Sequence, residues 1–430
     1  MSPAAARFRK RTTDDATDRD FRRFWWAGTT DALGTQTSGL ALPLLLLALG
    51  ESPAVVGTVA GVSAGCGILA GPFAAVLADR GARRTVMVLA ALTAATAMAS
   101  VAAGTLLGDP PLWHLFAAVL VERTATSCQE AASAGTVAVI VPPDRYPQAV
   151  SRLQAGEQAG LVVGPALGGA LFQLGRWLPF LADALSYLVS ALCVAAMRSD
   201  LRPRRDGEAS SESKRPSPAP RGGLAAAGHG FLRELGAGAV FARRQPFLRF
   251  VLLWSTVMSV LLAALSYGTL FTLRDAGAAG GPIGAVLAVA GAAGLAGALL
   301  APRLARALPG PRLVVTVSWL LVAPAVGLAL TTRVWVSALL FGLISLLLPA
   351  AAVVLQSRAI QVTPQELQSR TGTVLATTTG LAAAAGPVAA GALEGSAGTG
   401  GTALSCAAVL ALLALWSTTA APRVLGKETA

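Results

Sequence analysis

Charge is scarce in this sequence: 13% of its residues are Asp, Glu, Lys or Arg, against 54% hydrophobic, and the mean hydropathy is +0.62. A typical soluble domain carries about 25% charged residues, so the composition all but excludes a soluble enzyme. Histidine is limited to His114 and His229, which gives a metal centre almost nothing to build on. Cys66, Cys128, Cys193 and Cys406 all lie in apolar stretches at unrelated spacings. They suggest packing residues rather than a disulfide framework or a thiolate metal site. Lysine occurs only at positions 10, 214 and 427, so arginine supplies nearly all of the basic charge. The formal charge of +12 does not gather into a patch but recurs in short clusters between every second pair of apolar blocks, so no nucleic-acid partner is expected. No His-Asp or other catalytic pairing stands out. The expectation is a chain with no catalytic residues, no metal and no cofactor.

Long apolar blocks take the place of charge. They fall at about 24–49, 53–78, 84–107, 111–140, 148–174 and 177–197, and again at about 247–271, 281–301, 312–331, 334–356, 370–393 and 399–420. Each is near the roughly 20 residues that a helix needs to cross about 30 Å of hydrocarbon. The first is too long for a signal-peptide core and reads as a retained span. Between the two sets runs a segment rich in Pro, Ser, Arg and Glu, as in Ser210-Ser211-Glu212-Ser213-Lys214-Arg215-Pro216, which cannot bury enough apolar surface to fold alone. Its last part, about 224–242, has the pattern of a short interfacial helix, with Phe231, Leu235 and Val240 among Arg233, Glu234 and Arg243. The expected fold is therefore an all-α polytopic membrane protein with twelve transmembrane helices in two pseudo-symmetric six-helix bundles. Its expected parts are a tail (1–23), a bundle (24–197), a linker (198–246), a second bundle (247–420) and a short tail (421–430).

Arginine and lysine also predict orientation. Arg123 lies within a span, Arg176, Arg274 and Arg333 fall in one set of loops, and the other 30 fall on the opposite side. By the positive-inside rule both termini and the linker are cytoplasmic, which requires an even number of spans. The halves echo each other: the second span of each ends in a basic loop, Asp79 to Arg84 and Pro302 to Arg306. The fifth span of each carries a Gly-Pro element, Gly164-Pro165 with Gly168-Gly169, and Gly386-Pro387 with Gly391. Internal repeats of this kind build many secondary transporters, with the site near the midplane.

Gly156, Gly160, Gly164 and Gly168 stand at four-residue spacing, which leaves one helix face bare for close backbone approach, and Pro165 adds a kink. In the fourth span Glu122, Arg123, Gln129 and Glu130 interrupt an apolar stretch. Arg123, Ser127 and Glu130 share a stripe that suits the lining of a polar space. Asp31 in the first span and Glu157 in the fifth, with Gln158 beside it, are also placed within the hydrocarbon. A carboxylate there costs less when protonated, so Asp31, Glu122, Glu130 and Glu157, with Arg123, are proton-coupling candidates. Asp183, in the run Phe180 to Tyr187, ranks below them. Gln36, Gln129, Gln158, Trp254 and Tyr267 are candidates for lining a substrate cavity. Trp254, Tyr267, Phe271 and Trp319 in the second half face either an amphipathic substrate or lipid.

Gly160, Gly164, Pro165, Gly168 and Gly169 form Gly-x-x-x-Gly-Pro-x-x-Gly-Gly, which resembles the antiporter motif of the major facilitator superfamily. The loop Ala75 to Arg84, with Asp79, Arg80, Arg83 and Arg84, is similar to that superfamily's signature loop, with Ala75 and Ala82 in place of two glycines. In the family this loop latches one conformation. The alternative for this loop is a positive-inside anchor, which explains the arginines but not the placing of Asp79. Ala41 to Leu45 and Val141 to Arg145 add to the likeness, which is to the branch containing macrolide efflux proteins and the enterobactin exporter. The resemblance implies proton-coupled export of a drug-like or secondary-metabolite molecule across a bacterial cytoplasmic membrane, of the kind that confers multidrug resistance. Partners are the small-molecule substrate, protons and the lipid bilayer, and the protein is expected to act as a monomer. The alternatives are a nutrient or sugar importer of the same fold and a non-transporting membrane protein.

Overall fold

The computed structural model describes residues 3–79, 83–199, 201, 236, 240–398 and 400–425. Among them every regular element is helical: α1 (Pro3–Ala48), α2 (Pro53–Asp79), α3 (Arg83–Leu107), α4 (Leu112–Ala134), a short α5 (Val137–Ile140), α6 (Tyr146–Leu174) and α7 (Leu178–Ala195). The second half contributes α8 (Pro246–Asp275), α9 (Gly280–Ala307), α10 (Gly310–Leu320), α11 (Val322–Ala329), α12 (Val334–Val362), α13 (Gln365–Ala397) and α14 (Gly401–Leu425). Taking α10 and α11 as one span, nine helical spans among the described residues are long and apolar enough to cross a membrane on composition alone. The three that complete twelve are α1, α4 and α6, the helices that carry Asp31, Glu122, Arg123, Glu130 and Glu157. Polar residues retained inside a span mark function more often than they disqualify the span.

Local chemistry explains where the elements end. After α1, Gly50 takes φ 86°, and after α8, Gly277 takes φ 81°, both in the left-handed region that favours glycine. Each closes the same pair of bonds. Glu51 N–H donates to Leu46 and Gly50 N–H to Leu47, while Ala278 N–H donates to Leu273 and Gly277 N–H to Arg274. The first and seventh spans therefore stop by one device, at matching places in the two halves. The block expected over 111–140 ends earlier, at Ala134, where Gly135 caps α4 before α5 begins. The block over 312–331 is divided at Leu321, because Pro324 has no N–H to donate to the carbonyl of Leu320. The segment expected as an N-terminal tail is helical from Pro3 and continuous with the first span. The expected linker and interfacial helix lie largely outside the described residues.

The chain divides into two compact units. One comprises Met1–Thr35, Leu69–Gly160 and Phe180–Phe231, and the other Gln36–Ile68, Leu161–Pro179 and Leu232–Ala430. In the first, α3 packs along α4, over a core that includes Phe24, Met87, Ile140 and Met197. In the second, α9 packs against α12 and α8 against α13, with α14 beside α8, α10 and α11.

Candidate functional site

On α4, Glu122 is buried at 3% exposure, which sequence periodicity alone did not distinguish from its neighbours. The Tyr187 hydroxyl, on α7 and fully buried, donates to Glu122 Oε1 at 2.6 Å. Arg123 Nε approaches Glu122 Oε2 at 3.3 Å. Tyr187 and Thr35 of α1 are 3.0 Å apart, and with the phenolic proton committed to Glu122 the Thr35 hydroxyl is the donor. The Gln129 amide donates to Ser190 Oγ at 3.2 Å. Asp31 lies within electrostatic reach of Glu122, Glu130 and Arg123, and Glu130 in turn of Arg123, Glu122 and Glu157. Thus Asp31, Glu122, Arg123, Gln129 and Glu130 meet in one polar cluster across α1, α4 and α7, with Glu157 of α6 at its margin. Glu130 and Glu157 are exposed and Gln158 is half-buried.

Residues that the sequence reading ranked low or missed complete this cluster. Asp183 is fully buried, and a methyl group at Gly34 would stand 2.6 Å from its Oδ1. Asp183, Tyr187 and Ser190 are spaced i, i+4 and i+7, so they form a polar stripe on α7 that faces α1 and α4. That spacing was the available signal. Among the described residues no group of three or more His, Cys, Asp and Glu is placed to hold a metal ion.

The glycine face of α6 lies on α1. Added methyl groups would meet Thr29 at Gly156, Ala32 at Gly160, Gln36 at Gly164 and the carbonyl of Thr37 at Gly168. The other side of the Gly-Pro element meets α9: the Pro165 carbonyl lies on Gly284, and Gly169 on the carbonyl of Gly280. The second Gly-Pro element repeats the arrangement. Gly386 lies on Val260 and Ala263 of α8, the Pro387 carbonyl on Gly57 of α2, and Gly391 on the carbonyl of Pro53. The internal echo is therefore one packing device used twice, with a proline carbonyl seated on a glycine of a helix from the other half of the sequence. Such close approach allows weak Cα–H···O contacts.

In the loop after α2, the Asp79 side chain and Arg80 lie outside the described residues. Arg83 donates to the carbonyl of Gly135, the C-cap of α4, at 3.4 Å, and Arg84 to the carbonyl of Ser199 just beyond α7. Guanidinium groups at helix C-termini offset the orphan carbonyls and the dipole there. Asp20 completes this end of the molecule. It accepts the backbone N–H groups of Arg198 (2.9 Å) and Ser199 (2.7 Å), the Ser199 hydroxyl (2.6 Å) and Arg23 (3.1 Å). Burial pushes its carboxyl up, but the four hydrogen bonds outweigh burial and hold it below the ordinary aspartate value. This tie between α1 and the end of α7 is at full strength above the unfolded pKa of about 3.9 and is lost as pH falls through the lower folded value. An Asp20→Asn protein is expected to unfold at a lower temperature than the parent at pH 7, with the gap narrowing only below about pH 3.9. Thermal unfolding in detergent across pH 3 to 8 checks this, and equal midpoints at pH 7 would contradict it.

Of the aromatic candidates, Trp254 is buried and donates its indole N–H to Ser318 at 3.1 Å. Tyr267 is half-buried edge-on to Phe271, and Trp319 is exposed. Glu394 of α13 is buried, accepting from Thr402 at 2.8 Å and Thr272 at 3.4 Å, which ties α8, α13 and α14.

The profile of the Major Facilitator Superfamily matches residues 24–310. Among solved structures the fold is similar to a bacterial homologue of the human lysosomal transporter Spinster, inward-facing and unoccupied, at 14% identity over 96% of this chain and 98% of that one, with a TM-score of 0.72. It is also similar to the nucleoside transporter NupG, at 11% identity over 94% and 98% with a TM-score of 0.71. A bacterial homologue of the iron transporter ferroportin, inward-facing, matches at 16% identity over 93% and 99% with a TM-score of 0.67. At these identities the likeness is one of fold. No curated protein matches the sequence.

Proposed function

This chain belongs to the major facilitator superfamily, and from that premise we propose that it exports a small drug-like or secondary-metabolite molecule by proton antiport with alternating access. The observation that carries the reading is the excess of carboxylates over cations in the α1/α4/α7 cluster. Asp31, Glu122 and Glu130 share one guanidinium, that of Arg123. Glu130 is exposed, but Asp31 is half-buried and Glu122 is buried near the fully buried Asp183. Carboxylates in excess of one arginine are costly to keep ionised away from water, so the cluster favours taking up a proton or a cationic group. Protonating Glu122 releases Arg123 to its neighbours and reverses the hydrogen bond with Tyr187. The phenol then accepts from Glu122 and donates to Thr35. Thr35 immediately precedes Gln36 and Thr37, which lie on Gly164 and Gly168, so a change of protonation acts on α1 where it meets the Gly-Pro helix.

The orientation rests on the arginine and lysine distribution, with both termini and the linker on the cytoplasmic side of the membrane. On that orientation the two proline–glycine seats lie toward the outer face and would hold it closed while the inner face admits substrate. The domain boundaries proposed are those expected from the sequence, 24–197 and 247–420, and the acting species proposed is the monomer. Export is supported by the motif around Pro165. In cells expressing the protein, efflux of lipophilic dyes and antibiotics should be abolished by a protonophore. Efflux that persists under the protonophore would remove the antiport reading, and uptake in place of efflux would favour the importer.

A further inference from the structure

Away from the carboxylate cluster, the stretch of α1 from Asp18 to Trp25 and the first turns of α6 with the residues just before it border an open cavity of about 640 Å³, within the ~300–1,000 Å³ range of small-molecule sites. Two helical stripes wall it. Asp18, Arg22 and Trp25 stand at i, i+4 and i+7 on α1, and Gln148, Arg152 and Ala155 at the same spacing on α6. Phe21, Val141, Pro142 and Ala149 fill the apolar side, and Arg145 adds a third guanidinium. Asp18 is the one acid in the lining, and it is already engaged by Arg145 at 3.3 Å. Among the described residues the side chains of Arg22 and Arg152 have no hydrogen-bond or ion-pair partner. Trp25 is held in place by its indole N–H, which donates to the carbonyl of Arg152 at 2.8 Å, so the aromatic wall and the arginine are positioned together.

We propose that this cavity binds an anionic amphiphile, with its phosphate or carboxylate between Arg22 and Arg152 and its apolar body along Trp25 and Phe21. The polarity follows from the lining, since two unengaged guanidinium groups offer forked donors for an oxyanion. The apolar part follows from the aromatic and aliphatic surface immediately beside them. Arg22 precedes Asp31 by nine residues, about 13 Å along the helix, so this site is separate from the carboxylate cluster and does not depend on the transport reading. Tryptophan and arginine at a span's beginning also place the cavity at headgroup depth. The occupant is therefore either an anionic phospholipid of the adjacent leaflet or a soluble anionic amphiphile.

The test uses the full-length protein purified in a neutral detergent, with dodecyl phosphate as probe and dodecanol and inorganic phosphate as controls. Dodecyl phosphate should raise the thermal midpoint at concentrations where neither control does, and the effect should shrink with added salt. In R22Q/R152Q its apparent affinity should fall at least about tenfold, while R22K/R152K, which keeps the charge, should retain part of it. Phosphatidylglycerol that stays with the parent through delipidation and is lost from R22Q/R152Q assigns the site to a leaflet lipid. Probe binding without lipid retention assigns it to a soluble amphiphile. Equal stabilisation of parent and R22Q/R152Q by dodecyl phosphate, or equal stabilisation of the parent by dodecanol, overturns the proposal. Should R22Q/R152Q not fold, the single variants R22Q and R152Q carry the same comparison.

Discussion

Gly284→Val is expected to reduce transport at least about tenfold, the equivalent of ~1.4 kcal/mol, without preventing insertion of the protein. A side chain at Gly284 would run into the carbonyl oxygen of Pro165, and backbone cannot move aside as a flexible side chain can. Gly57→Val makes the same collision with the carbonyl of Pro387 and should give the same phenotype. The effect follows from the geometry of the seat rather than from glycine content. Gly65 has nothing within 4 Å of where its side chain would be, so Gly65→Ala should transport like the parent. If the two seats hold the same face closed, as proposed, the Gly57 and Gly284 variants should also make outward-facing positions of α6 and α13 more reactive to thiol reagents once cysteines are placed there. Parent-like transport in both valine variants would remove the seats from the mechanism.

The second large effect is expected at Glu122 and Tyr187. Glu122→Gln removes the charge that Arg123 and Tyr187 share and should abolish proton-driven transport, by about a hundredfold or ~2.7 kcal/mol. Tyr187→Phe keeps the carboxylate but deletes the hydroxyl, at a cost of about 1.5–3 kcal/mol for a hydrogen bond to a charged group. It should leave substrate binding in place while weakening the dependence of transport on the proton gradient. Thr35→Val interrupts the chain one link further on and should give a milder form of the same defect. The diagnostic reading is the split between binding and coupling. A Tyr187→Phe protein that lost both in proportion would point to a packing role alone.

The membrane character, the helical spans and the repeated Gly-Pro elements could be read from the sequence because each depends on composition or spacing within one segment. Asp31, Glu122, Arg123, Gln129 and Glu130 were singled out that way, since a charged or amide side chain in an apolar run stands out. What the elements touch was not readable. Nothing in the local pattern pairs Tyr187 with Glu122, 65 residues away, or Asp20 with Ser199, 179 residues away. Those bonds exist only once α1, α4 and α7 are packed together. The same holds for Pro165 and Pro387: their kinking role follows from the residue type, but the partner of each carbonyl is a glycine on a distant helix. The break at Leu321 was missed for a different reason, because a proline within an apolar run leaves hydropathy unchanged while removing one backbone donor.

Purified protein in liposomes that carry a pH-sensitive dye in the lumen tests the antiport account most directly. Adding a transported compound on the side that the protein exports from should drive protons in the opposite direction, and Glu122→Gln should abolish that counterflow while still binding the compound. Substrate movement with no proton counterflow in the parent, or unchanged counterflow in Glu122→Gln, would contradict it.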